Sequence, residues 1–105
     1  MAESAFRDMD NKLKTSVEVT VAPALRKVVN GVSTVQAQGE TVRQLLHNLD
    51  LQFPGFKGYM IDKWGELRSS IIIHLNDEDI HCLQGLETPL KDGDSMAILV
   101  LLSGG

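Results

Sequence analysis

In the run SVEVTVA, Val17, Val19 and Val21 alternate with Glu18 and Thr20. A period of two puts the valines on one face of an extended backbone and the polar residues on the other, which predicts a half-buried strand. Pro23 has no N–H to give to a ladder and ends the run. Asn30-Gly31 readily takes φ > 0 and suits a type I′ turn, and VSTVQAQ after it predicts a second strand. The period then changes. In GETVRQLLHNLDLQFPG, Val42, Leu45, Leu46 and Leu49 fall at i, i+3, i+4 and i+7, with Phe53 one turn further, and this predicts a helix with one buried stripe. Thr41 and Gln44 have capping-box spacing at its start, and Pro54-Gly55 closes it.

Residues 56–69, FKGYMIDKWGELRS, show no period and predict a long connection packing its own aromatics, Tyr59 and Trp64. SIIIHLN predicts a strand with Ile71, Ile73 and Leu75 on one face and Ile72 and His74 on the other. A turn at Asn76-Asp77 leads into a short strand, DIHCL. After a second turn at Asp92-Gly93, SMAILVL predicts the last strand, with Met96, Ile98 and Val100 opposing Ala97, Leu99 and Leu101. The order ββαβ(β)β makes one α+β domain over residues 16–101. Residues 1–15, mixed in charge with scattered Phe6, Met9 and Leu13, predict a disordered extension, and residues 102–105 a flexible tail.

Composition narrows the classes. With 43% apolar and 23% charged residues the 105-residue chain is of ordinary globular make-up, enough for one core but not for a deep, multi-walled catalytic cleft. A formal charge of −4 without a sequence cluster of Lys and Arg points away from nucleic acid and anionic membrane as partners. One cysteine, Cys82, provides neither an intrachain disulfide nor a Cys-based zinc cage. No apolar run is long enough to span a bilayer and the first 20 residues hold no signal-type apolar segment, so a cytoplasmic location is expected.

Side-chain chemistry is sparse. His81 and Cys82 are adjacent, but strand neighbours point to opposite faces, which keeps a thiol from its base and makes Cys82 a small buried hydrophobe. Asp77, Glu78 and Asp79 read as a solvated turn, without the spacing of a calcium loop. His47 and His74 have no partner at metal-ligand spacing. Glycine-rich phosphate loops and nucleophile elbows are missing, so no metal and no catalysis by the chain itself are expected. Ile72, His74, Ala97 and Leu99 share the sheet face away from the helix and form a candidate docking patch.

The end of the sequence, AILVLLSGG, carries more. Two glycines stabilise neither helix nor strand. A C-terminal carboxylate becomes a useful electrophile once ATP converts it to an acyl-adenylate. To reach another protein's active site it needs a narrow, extended leader, which Gly104-Gly105 with the small Ser103 before it would supply. Leu101 and Leu102 would anchor the leader while strand-type pairing holds its backbone.

The pieces VEVTVAPALR, GETVRQLLHNLDLQFPGF, IIIHLNDEDI, LETPLKDGDSMAIL and the final GG together resemble the ubiquitin-like β-grasp sulfur carriers of the ThiS/MoaD family. The likeness is nearest to the carriers of cysteine synthesis and covers about residues 16–105. It implies a mixed sheet of four to five strands wrapped on one helix, with the first and last strands parallel neighbours. It also implies a carrier that is not itself an enzyme: Gly105 is adenylated by a ubiquitin-activating-type enzyme using ATP, with no cofactor bound to the carrier. The resulting thiocarboxylate donates sulfur to an acceptor on a synthase, in making cysteine, molybdopterin, thiamin or thiolated tRNA. A protein modifier joined through Gly105 to lysines uses the same tail chemistry and is the alternative. The 15-residue extension and the strongly apolar Leu101-Leu102 depart from the usual family pattern.

Overall fold

The computed structural model describes residues 15–101. The expected extension, but for Thr15, and tail residues Leu102, Ser103, Gly104 and Gly105 lie outside them.

Strand β1 (Ser16–Val21) buries Val17, Val19 and Val21 completely, as its alternation requires. It pairs antiparallel with β2 (Thr34–Gln38), whose Val35 and Ala37 face the same side. The two strands are not joined by a tight hairpin. Pro23 starts a 3-10 helix, Pro23–Val29, which buries Leu25 and Val29 and ends on Asn30 in the left-handed region at φ 60°. Gly31 follows at φ 81°. The Asn-Gly pair therefore does reverse the chain with two positive φ values, but it terminates a helical turn rather than closing a hairpin. Proline's fixed φ and missing donor suit the first turn of that helix as well as the end of a strand.

Helix α1 (Val42–Gln52) lays Val42, Leu45, Leu46 and Leu49 on the sheet, all four fully buried. Its start is closed on three sides. The Gln44 N–H donates to Thr41 Oγ1 at 3.2 Å, Gln44 Oε1 accepts from the Glu40 N–H at 2.6 Å, and the Val42 N–H donates to the Thr88 carbonyl at 3.1 Å. Three backbone donors are thus satisfied around a terminus that would otherwise leave them open.

The 56–69 segment departs from expectation. Gly55, at φ 97°, reverses the chain into a short helix α2 (Phe56–Met60), and Phe56 and Met60 are fully buried in the main core. Tyr59 and Trp64 instead face solvent, 48% and 75% exposed. The segment's period was hidden because only a single helical turn, i to i+4, is used.

Strand β3 (Ile71–Leu75) buries Ile71, Ile73 and Leu75. Asn76 and Asp77, at φ 51° and 72°, make a two-residue turn into β4 (Glu78–Asp79), so that Leu75 pairs with Glu78. The expected strand DIHCL ends there. Asp79 Oδ1 accepts the His81 N–H at 2.8 Å and caps a 3-10 turn, Ile80–Cys82. That cap, not strand geometry, sets the directions of His81 and Cys82, and Cys82 is exposed rather than buried. Strand β5 (Ser95–Val100) completes a mixed five-stranded sheet in the order β2-β1-β5-β3-β4, with β1 and β5 parallel in its middle.

Candidate functional site

Because α1 and the core occupy one side of the sheet, every second strand residue faces the other. Register then fixes who meets whom. Thr20, Ala97 and His74 form one row across β1, β5 and β3, and Leu99 pairs with Ile72 in the next row on β5 and β3. The four residues picked from alternation are therefore brought together, and Thr20 extends their row. Its place beside Ala97 depends on the parallel β1–β5 pairing, which joins residues 77 positions apart and which no local pattern reveals.

The face is divided. On β2 and the start of β1 it carries Thr34, Gln36, Gln38, Ser16 and Glu18, all polar. On β5 and β3 it carries Ile72, Ala97 and Leu99 with His74, and Leu99 remains 40% exposed. A single exposed leucine means nothing, but here the apolar residues adjoin across a ladder beside a polar half. At its edge Leu101 is 55% exposed, and its N–H donates to the Ser70 carbonyl at 2.7 Å, one pair beyond the end of β5. The polypeptide thus continues toward residues 102–105 directly from the apolar half.

The other candidates stand apart. His81 Nδ1 lies 3.2 Å from Asp79 Oδ1. The Asp79 carboxyl is held below the ordinary carboxylate value, chiefly by the His81 backbone N–H, with desolvation opposing it and the His81 and His74 rings adding to the lowering. This is the hydrogen bonding of a turn cap. Arg43 Nε meets Glu87 Oε2 at 2.6 Å and its Nη1 donates to the Gly65 carbonyl at 2.9 Å, tying α1 to two loops. Among the described residues no three His, Cys, Asp or Glu side chains gather as metal ligands, and no helix is long and apolar enough to cross a membrane.

A mixed sheet with parallel first and last strands, grasping one long helix and presenting an apolar half-face at the exit of β5, is the ubiquitin-like β-grasp fold. Within that fold the chain belongs to the ThiS family, whose family model matches residues 19–105. It is 33% identical to the sulfur carrier protein CysO of Mycobacterium tuberculosis over 92 residues, 86% of this chain and 99% of that protein. Among solved structures it is similar to a chain of the Amycolatopsis orientalis BexX/CysO complex, with TM-score 0.80 and 32% identity over 85% of this chain and 99% of that one. It is also similar to small archaeal modifier protein 1 from Methanosarcina acetivorans, with TM-score 0.76 and 35% identity over 88% and 98%. The chain is a homologue of sulfur carriers.

Proposed function

We propose that this protein is a cytoplasmic sulfur carrier whose working group is the carboxyl of Gly105. The observation that carries the reading is the reach of the family match, which runs through the Gly-Gly to residue 105 and spans nearly the whole of the CysO relative. The chemistry takes two steps. An adenylating enzyme joins the Gly105 carboxylate to the α-phosphate of ATP and releases pyrophosphate. A sulfide-level sulfur nucleophile then attacks the acyl carbon, AMP leaves with the C–O bond electrons, and a thiocarboxylate remains. The carrier contributes presentation, while ATP and the catalytic groups belong to the activating enzyme.

Presentation is where the fold matters. Ile72, His74, Ala97 and Leu99 form the docking patch for the activating enzyme and for a sulfur-acceptor synthase. Leu101, Leu102, Ser103 and Gly104 thread the tail into each active site. The relative seen in a complex with BexX supports an acceptor protein as the second partner. Four extended residues beyond Leu101 span about 14 Å, enough to enter a channel while the patch stays docked.

A second reading, conjugation of Gly105 to lysine amines, is favoured by the likeness to small archaeal modifier protein 1. The test separates them. With the activating enzyme and ATP, the intact chain supports ATP–pyrophosphate exchange and a variant lacking Gly105 does not. Lysine-linked conjugates in place of a thiocarboxylate would favour the modifier, and equal exchange by both chains would exclude either tail function.

A further inference from the structure

The charges of this acidic chain are segregated along the strands. At the end of the sheet where β5 leads toward residues 102–105, the adjoining segments are 22–33, 67–72 and 98–101. Their charged residues are Arg26, Lys27 and Arg68, with no Asp or Glu. At the opposite end, the turns 76–79 and 91–95 carry Asp77, Glu78, Asp79, Asp92 and Asp94 against Lys91 alone. Among the described residues, the segments at the end where β5 leads toward the tail are thus positive, in a chain of net charge −4.

Three hydrogen bonds fix the collar around β5. Arg26 Nε donates to the carbonyl of Val21, the last residue of β1, at 3.0 Å. Arg68 Nε donates to the Gly58 carbonyl at 2.9 Å, while the Arg68 carbonyl accepts the N–H of Ile71, the first residue of β3, at 3.0 Å. Since β5 lies between β1 and β3, Arg26 is tied to the strand on one side of its exit and the backbone of Arg68 to the strand on the other. Lys27, next to Arg26, is exposed. Charges so placed concentrate the positive potential where a partner must approach.

We propose that Arg26, Lys27 and Arg68 form a basic collar that docks on an acidic rim bordering the tail channel of the activating enzyme. The inference rests on the carrier reading and adds to the apolar patch a second, electrostatic contact. The collar is assigned encounter and orientation rather than chemistry, since the carrier reading leaves the catalytic groups to the activating enzyme. The acidic far end reinforces this, because an acidic rim repels it and turns the tail end forward.

The test compares Lys27→Glu/Arg68→Glu with Lys91→Glu in adenylation kinetics by the activating enzyme at low and high salt. Circular dichroism confirms that each variant is folded, and Lys27→Gln/Arg68→Gln covers the case in which the reversal does not fold. The collar reversal is expected to lower kcat/KM about tenfold at low ionic strength with kcat nearly unchanged. The loss shrinks as the Debye length falls from about 10 Å at 0.1 M to about 3 Å at 1 M salt. Lys91→Glu makes the same charge change as one collar reversal, at the far end, and is expected to change kcat/KM less than twofold. Equal losses from far-end and collar reversals, or a collar variant with wild-type kcat/KM at low salt, would overturn the collar. A wild type that is never adenylated would overturn the carrier reading itself, and the collar with it.

Discussion

Substituting alanine at two glycines has opposite expected outcomes, each worked from the space around the residue. Gly39 is buried between the end of β2 and the first turn of α1. A Cβ there would stand 2.6 Å from the Leu45 backbone nitrogen, 2.7 Å from its Cα and 3.0 Å from its Cβ. Comfortable carbon contacts begin near 3.5 Å, so helix and strand would have to separate by roughly 0.8 Å. The atoms in the way are helix backbone, held by the Leu45 N–H to Thr41 carbonyl bond at 2.9 Å, and cannot swing aside as a side chain tip could. Movement of α1 would also loosen four fully buried side chains. Gly39→Ala is therefore expected to cost about 2–3 kcal/mol, in the upper range for overpacking. Gly58, in α2, has nothing within 4 Å of an added Cβ and no positive φ. Gly58→Ala is expected to gain about 0.5–1 kcal/mol from reduced backbone entropy in the unfolded chain. Urea unfolding followed by circular dichroism measures both. With a slope of about 1 kcal/mol/M, the midpoint falls by about 2–3 M for the first and rises by up to about 1 M for the second. A Gly39→Ala stability within about 0.5 kcal/mol of wild type would refute the close approach of helix and strand, given the usual ±0.5 kcal/mol spread of surface changes.

Further outcomes follow from the same structure. Phe56→Ala is expected to cost about 3–5 kcal/mol because that ring fills the main core, whereas Trp64→Ala stays within about 0.5 kcal/mol, both read from urea midpoints. Asp79 has a folded-state pKa below its ordinary value, so its contribution to stability is complete above the unfolded pKa and is lost as pH falls through the folded one. Asp79→Asn should therefore lower the urea midpoint near neutral pH and approach wild type in acid; a gap of constant size at every pH would contradict the assignment. Leu99→Glu is expected to leave the fold intact by circular dichroism while reducing kcat/KM for adenylation about tenfold, the loss of roughly one apolar anchor at an interface. Unaltered kcat/KM would remove the apolar half-face from the docking site.

The elements that sequence revealed best were those whose pattern is local. Valine alternation gave β1, the i, i+3, i+4, i+7 leucines gave α1, and the Thr41 and Gln44 side chains close its start as their spacing suggested. The failures share a cause too. Phe56 and Met60 use one helical turn, too short for a period to emerge. DIHCL has strand-like residues, but the Asp79 side chain captures a backbone N–H two residues on and turns the strand into a 3-10 helix. Cys82 followed it to the surface. The docking face was half legible: alternation named Ile72, His74, Ala97 and Leu99, while Thr20 joined them only through a parallel pairing across most of the chain. Arg26, Lys27 and Arg68 were invisible as a group, because the placement of their segments on either side of β5 is a product of strand order.

In the carrier reading, Gly105 carries the sulfur. The direct measurement is the intact mass of the protein after incubation with its activating enzyme, ATP and a sulfide source, followed by fragmentation of the C-terminal peptide. A carrier gains the mass difference of one oxygen replaced by one sulfur, confined to the fragment ending at Gly105, and only when ATP is present. An unchanged mass with no AMP released and no conjugates formed would contradict the account and leave a β-grasp binding domain whose Gly-Gly has no role in transfer.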